Sequence, residues 1–268
     1  MRSRTTGGVR ATVAAGTFYP SNPDELTAMV DELLDGASTV AGGSVPHAIV
    51  VPHAGYVYSG PIAASGYATI RPAANRFRRV ALFGPAHFVP LDGAAVPEAG
   101  AWRTPLGDVG LDPELRRVAL DAGAVADDAS HAPEHALEVQ LPFLLRVAGP
   151  DVGILPVALG RVASGAAADL IEAVGEIADL VIVSTDLSHY HDQETARRLD
   201  RRTADAILAR DPGAIGPEDA CGVFALRGMV ELARRRALGV RLLDLRTSAD
   251  TAGDPSRVVG YGAFAIGS

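Results

Sequence analysis

Three histidines stand where three apolar runs give out: His53 after HAIVVP, His87 after RVALFGPA and His189 after LVIVSTDLS. The single cysteine, Cys221 in GPEDACGVF, falls where a helix is expected to begin. In open α/β sheets ligands bind outside the carboxyl ends of the strands. Imidazoles and a thiolate gathered there make a donor set for a transition metal.

Each candidate has its own local grammar. Gly55 permits a sharp turn two residues past His53, and Tyr56 and Tyr58 bring hydroxyls to the same stretch. The position also suits a loop histidine that caps a helix. His87 repeats the pattern, with Gly84-Pro85 between the strand and the imidazole. Asp186 and His189 are three residues apart and face one cavity if the segment turns. Asp186 then serves as a ligand, a proton acceptor or the partner that orients an imidazole. Tyr190 is a further candidate for the pocket wall, and His191 is expected to face solvent. A helix N-terminus lowers a thiol's pKa, which favours Cys221 as a thiolate. Unpaired cysteines also serve as small buried hydrophobes. Gly222 allows close backbone approach beside it. His135 and Glu138 are one helical turn apart, without the second histidine of the HExxH zinc pattern. His135 reads either as an acid–base group of the pocket or as a helix-surface residue.

Composition narrows the field. A chain of 268 residues, 48% hydrophobic, can bury a full core, and one α/β domain over residues 1–268 is expected. The lone cysteine rules out an intrachain disulfide and fits a reducing cytoplasm. A net charge of −8 argues against a nucleic-acid partner. The arginine clusters at 197–202 and 234–236 read as solvated helix faces. All 24 basic residues are arginine, which excludes a P-loop lysine, a Schiff-base lysine and a pyridoxal phosphate anchor. No apolar run approaches bilayer length, and the N-terminal stretch lacks the apolar middle of a signal peptide. A soluble cytoplasmic protein with no membrane partner is expected.

The elements that must position these residues follow from periodicity. Residues 1–20 are expected to be extended. Asn22-Pro23-Asp24-Glu25 is a helix start, and apolar spacing carries that helix to about Leu34. HAIVVP, RRVALFG, VGILPVAL and LVIVST read as strands buried on both faces. Helices are expected at 59–70, 113–122, 134–147 with a break at Pro142, 164–178, 192–210 and 217–236, with short strands and turns over 92–110. VRLLDLRTS and RVVGYGAFAI close the chain as strands that could pair antiparallel at the edge. Alternating strands and helices predict a three-layer α/β/α sandwich around a largely parallel, mixed sheet.

The segments AGTFYP (15–20), PHAGYVYSG (52–60), GPAHF (84–88), EHALEVQLPF (134–143), STDLSHY (184–190), ACG (220–222) and VVGYGAFAI (258–266) together resemble the Memo family. Its prokaryotic members are called AmmeMemoRadiSam system protein B, and its fold is similar to that of the LigB-type class III extradiol dioxygenases. The resemblance implies metal ligands at His53, His87 and Cys221, with Asp186 and His189 in the same pocket. It implies iron, with copper as an alternative, and genomic association with radical-SAM and AMMECR1-like proteins; a thiolate, softer than a carboxylate, brings zinc into competition as well. In the dioxygenases a glutamate stands where this match places Cys221, a departure that weighs against extradiol ring cleavage. Three functions are therefore open. The first is a non-haem metal oxidoreductase acting on an unidentified small molecule or peptide, with His189, Asp186 and His135 moving protons and Tyr56 and Tyr190 lining the pocket. The second is a non-catalytic metal-handling or partner-binding module. The third is a cysteine hydrolase built on Cys221, His189 and Asp186.

Overall fold

The computed structural model describes residues 7–37 and 44–267. The first six residues of the expected N-terminal extended stretch lie outside that range. The chain opens with β1 (Val9–Arg10), α1 (Pro23–Gly36), β2 (Ala48–Val51), α2 (Tyr56–Ala68) and β3 (Arg79–Pro85). Short strands β4 (Ala94–Val96), β5 (Ala101–Thr104) and β6 (Gly107–Gly110) precede α3 (Pro113–Asp121) and β7 (Val125–Ala126). Next come α4 (Leu141–Ala148), β8 (Gly153–Leu159), α5 (Ser164–Gly175), β9 (Leu180–Ser184) and β10 (His189–His191). The chain closes with α6 (Gln193–Ala209), α7 (Val223–Arg235), β11 (Val240–Thr247) and β12 (Val258–Ile266).

Among the described residues nine strands form the main sheet, in the order β10-β12-β2-β9-β3-β8-β4-β7, with β11 also paired to β12. The four central strands β2, β9, β3 and β8 run parallel. β12 joins antiparallel to β2, and β11 antiparallel to β12, as the last two strand patterns predicted. Side chains alternate strictly across this sheet. Ala48, Val50, Ala81, Phe83, Val181 and Val183 enter the core beneath α5 and α7. Ile49, Val51, Val80, Leu82, Leu180 and Ile182 enter the core beneath α1, α2 and α4. Both faces are buried, so the strands read as continuous apolar runs. Each buried Val, Ile or Leu contributes about 1.5–3 kcal/mol from loss of contact with water. The architecture is the expected three-layer α/β/α sandwich.

Helix limits depart from the sequence reading at three places that matter. α2 begins at Tyr56 rather than Ser59, directly after Gly55. The stretch 134–147 is not one broken helix. A 3-10 turn at Glu138–Gln140 leads into α4, where Pro142 occupies the first turn. A first-turn N–H has no intrahelical partner, so proline costs nothing there. α7 begins at Val223 rather than Pro217, with Gly222 at its cap. Cys221 therefore lies in the turn before the helix. α1 is as expected: Asn22 accepts from the Asp24 and Glu25 amides, Pro23 opens the first turn, and Leu26, Val30 and Leu34 bury one face.

A second, three-stranded sheet (β1, β5, β6) caps one side. Arg10 on β1 lies over the buried Trp102 ring, 4.2 Å from its centroid, and pairs with Glu138 at 2.6 Å. Glu138 also accepts from the Val13 and Ala14 amides, the Thr12 hydroxyl and the Tyr19 hydroxyl. One buried carboxylate thus pins the whole segment 10–19 to the body of the protein.

Candidate metal centre

β9 lies between β2 and β3, so the loops after these three strands emerge side by side. They carry His53, Asp186 and His87. The turn before α7 joins them through two hydrogen bonds to the end of β9: Cys221 N donates to Asp186 O at 3.2 Å, and Gly222 N to Thr185 Oγ1 at 2.9 Å. A Cβ on Gly222 would lie 2.8 Å from the Ser184 carbonyl and from Thr185. Only glycine lets the cysteine turn come this close.

The ligand atoms of His53, His87 and Cys221 lie within 4.8 Å of one another. His53 is buried, Cys221 partly buried and His87 exposed. Cys221 Sγ is 3.2 Å from His53 Nε2 and accepts the Asp186 amide at 3.2 Å. Asp186 is buried, and its Oδ1 accepts the His53 amide at 2.7 Å. It therefore braces both the histidine and the cysteine through the backbone. All these residues, with Phe18, His135, His189, Tyr190 and His191, line one cavity of about 670 Å³.

Glu134, which no sequence pattern marks, supports His87. Its Oε2 accepts the His87 amide at 2.6 Å and its Oε1 meets His87 Nδ1 at 3.0 Å. Ala136 N adds a third bond at 2.9 Å. Burial alone would raise this carboxyl, but the hydrogen bonds and charge of His87 outweigh it and hold it at about 2. His87, Glu134 and His135 also cluster closely enough to hold an ion. With both its oxygens already engaged, Glu134 is better read as the support of His87 than as a second ligand.

His135 stands in a turn, not on a helix surface. Its ring stacks on Phe18 at 4.2 Å and on His87 at 5.1 Å. Burial, then the nearby His53, lowers its pKa to about 4. His135 does not share a face with Glu138, which points to Arg10 and Tyr19. Phe18 had no place among the candidates; the Glu138 anchor and a bond from Tyr56 N to Phe18 O at 2.8 Å bring it in.

Tyr56 departs from expectation. Its side chain is buried away from this cavity, packs on Phe143 and donates to Val139 O. The early start of α2 turns it into the core. Tyr190 is at the mouth, exposed, with φ 64° and Arg257 4.4 Å from its ring centroid. His191 is exposed, as expected, yet also reaches the cavity wall.

The Cys221 thiol is not activated as its expected helix position implied. Burial pushes its pKa up, and the adjacent Asp186 charge pushes it further. Burial, then the neighbouring His87, lowers His53 to about 3. Both shifts favour a neutral thiol beside a neutral imidazole, a pair in which a cation has only the thiol proton to displace. The residues fit a metal: two imidazoles and one thiol converge, each imidazole is held from behind, and the cavity leaves room for further ligands. Cys221 meets the ring of His53 rather than that of His189. No hydrogen bond among the described residues links the His189 ring to Cys221 or to the Asp186 carboxylate, which is engaged by His53 N.

The fold has a solved counterpart in an uncharacterized protein of Escherichia coli K12. That structure superposes with a TM-score of 0.53 over 82% of this chain and 99% of its own, at 9% sequence identity. Sequence relatives are much nearer. A MEMO1 family protein of Methanopyrus kandleri is 34% identical over 95% of this chain and 98% of its own length. Others from Thermotoga neapolitana and Methanosarcina acetivorans are each 36% identical, covering 94% and 96% of this chain and 98% and 99% of their own. Residues 10–265 match the Memo-like protein family as a whole, and this chain belongs to that family.

Proposed function

We propose that this protein holds a single metal ion on His53, His87 and Cys221 and uses it to oxidise a small molecule or a peptide end, with dioxygen as the electron acceptor. The convergence of two imidazoles and a thiol in one cavity carries the reading. Iron is the first candidate, on the strength of the Memo resemblance. A thiolate is softer than a carboxylate and brings copper and zinc into competition. When bound, a redox-active ion supplies Lewis acidity and electron transfer at this position.

The protein's own residues prepare the cavity. Asp186 holds the His53 and Cys221 backbones in register, and Glu134 orients His87. His189 and His135 line the same space and are placed to hold or pass a proton at a ring nitrogen. Phe18 covers the His135 ring and keeps water from that side.

Metal analysis by mass spectrometry tests this, on protein purified without oxygen or affinity-tag metal, beside Cys221→Ser and His87→Ala. Near-stoichiometric metal lost in both variants supports the site, and the element found decides between iron, copper and zinc. Little metal, with no uptake on reconstitution, sinks it.

A second reading is a non-catalytic metal-handling or docking module. It draws on the exposed Phe88 and Tyr190 rings beside the cavity. Radical-SAM and AMMECR1-like proteins are its proposed partners, in a reducing cytoplasm suited to a lone cysteine. Partner binding should then survive Asp186→Asn, whereas oxidation should not. Among the described residues no helix is long and apolar enough to cross a membrane.

A further inference from the structure

Behind His53 lies a buried polar chain that the metal site does not itself explain. His53 Nδ1 is 3.0 Å from Ser184 Oγ. Ser184 Oγ is also 2.7 Å from Ala136 O and 2.8 Å from Gln140 Nε2. Gln140 Nε2 is 2.9 Å from Pro52 O, and the Tyr67 hydroxyl is 3.1 Å from Gln140 Oε1. Ser184 is fully buried and Gln140 almost so.

The proton directions in this chain follow from which atoms can only accept. Pro52 O is a carbonyl, so the Gln140 group facing it must be the NH₂. That fixes the amide orientation, and the second Gln140 N–H points at Ser184 Oγ. Ala136 O is likewise a carbonyl, so the Ser184 hydroxyl must give its single proton there. Two oxygens 2.7 Å apart with no proton between them would repel. Ser184 Oγ is left with acceptor lone pairs alone, one for Gln140 and one for the imidazole. His53 Nδ1 must therefore donate. A neutral imidazole carries one ring proton, so Nε2 is bare, and Nε2 is the atom facing Cys221. His87 Nδ1 likewise faces an acceptor, the Glu134 carboxylate.

We propose that Ser184 and Gln140 are positioning residues that lock His53 as its Nδ1–H tautomer and so present bare Nε2 to the metal. The role as a ligand-presenting device rests on the metal reading above, whereas the tautomer itself does not. Neither residue touches the ligand atoms. Their effect is on which nitrogen is free and where it points, and loss of such outer partners typically weakens metal binding between about 10-fold and 100-fold.

The test is a long-range ¹H–¹⁵N correlation spectrum of full-length, metal-free protein labelled with ¹⁵N-histidine, with His53 assigned by its loss in His53→Asn. It is run on wild type and Ser184→Ala, with Co²⁺ affinity measured by optical titration in parallel. The expected wild-type signature is a protonated Nδ1 and an unprotonated Nε2. In Ser184→Ala the tautomers should mix and Co²⁺ binding should weaken between about 10-fold and 100-fold. A proton on wild-type Nε2, alone or beside one on Nδ1, overturns the proposal. So does a folded Ser184→Ala protein with the wild-type tautomer and Co²⁺ affinity. If Ser184→Ala fails to fold, the wild-type spectrum still decides. A wild type that binds Co²⁺ but carries its proton on Nε2 refutes the tautomer lock alone. One with the stated tautomer that takes up no Co²⁺ refutes the metal centre, and with it the presenting role.

Discussion

Replacing Glu138 with glutamine keeps the shape of the side chain and removes the charge on which the N-terminal segment depends. Glu138 is fully buried, and its partner Arg10 is 7% exposed. The carboxylate accepts from Arg10 at 2.6 Å, Tyr19 OH at 2.7 Å, Val13 N at 2.9 Å, Ala14 N at 3.0 Å, and the Thr12 hydroxyl. Every one of these neighbours is a donor. A glutamine NH₂ would have to face one or more of them, and Arg10 would become a buried charge without a counterion. Removing one partner of a buried pair costs about 3–5 kcal/mol, and Glu138→Gln should fall in that range at pH 7. With a urea m value of roughly 3 kcal/mol per molar, the unfolding midpoint should drop by about 1 M or more. The pH dependence supplies an independent arm. Burial pushes the Glu138 carboxyl up, but hydrogen bonds from Thr12, Arg10 and Tyr19 more than reverse this, so its folded value is depressed. The stability it contributes is present above the ordinary carboxyl value of about 4.3 and is lost as pH falls from there through the folded value. Wild type should therefore lose more stability than Glu138→Gln between about pH 5 and pH 3. A loss below about 1 kcal/mol at pH 7, or parallel pH curves, would refute the reasoning.

Other outcomes follow from single features. Gly222→Ala places a Cβ 2.8 Å from the Ser184 carbonyl and should lower stability by about 1–3 kcal/mol while displacing Cys221. Chemical denaturation and Co²⁺ titration read the two effects together, and an unchanged Co²⁺ spectrum would count against the close approach. Glu134→Gln should weaken Co²⁺ binding between about 10-fold and 100-fold with little change in fold, because the imidazole loses its anionic support. Asp200 is buried, its Oδ2 has no hydrogen-bond partner among the described residues, and burial raises its pKa. Its stability contribution is intact below the ordinary carboxyl value and declines as pH rises toward the folded one. Asp200→Asn should therefore match or exceed wild-type stability at pH 7 and lose any advantage near pH 3. Thermal melts at both values check this, and a destabilised variant at pH 7 falsifies it.

The sheet was legible because its central strands are buried on both faces, so VVP, VALFG and LVIVS carry their identity in composition alone. The strand-end histidines and Cys221 were legible because the parallel sheet sends those loops to one edge. What was not legible depends on where side chains turn after a helix or turn begins. Tyr56 was expected in the pocket, but α2 starts three residues early and carries it into the core. Glu134 and Glu138 are four apart in one segment, and only the non-helical turn between them sends one to His87 and the other to Arg10. Ser184 and Gln140 look like an ordinary strand-end serine and an ordinary turn glutamine; their importance appears only through long-range hydrogen bonds. Phe18 enters from a segment whose place is set by a carboxylate 120 residues away from it.

The thiol and the imidazole that meet at 3.2 Å are 168 residues apart in the chain. During synthesis the His53 and His87 segments leave the ribosome long before Cys221 does. The central strand that separates them, β9, also arrives late, at residues 180–184. A nascent or truncated chain therefore has no binding pocket, only scattered imidazoles of the kind found in any unfolded protein. Under the proposed metal reading, ion capture is confined to chains that have closed the sheet and docked the turn before α7. On that reading, occupancy marks a chain that has completed its fold.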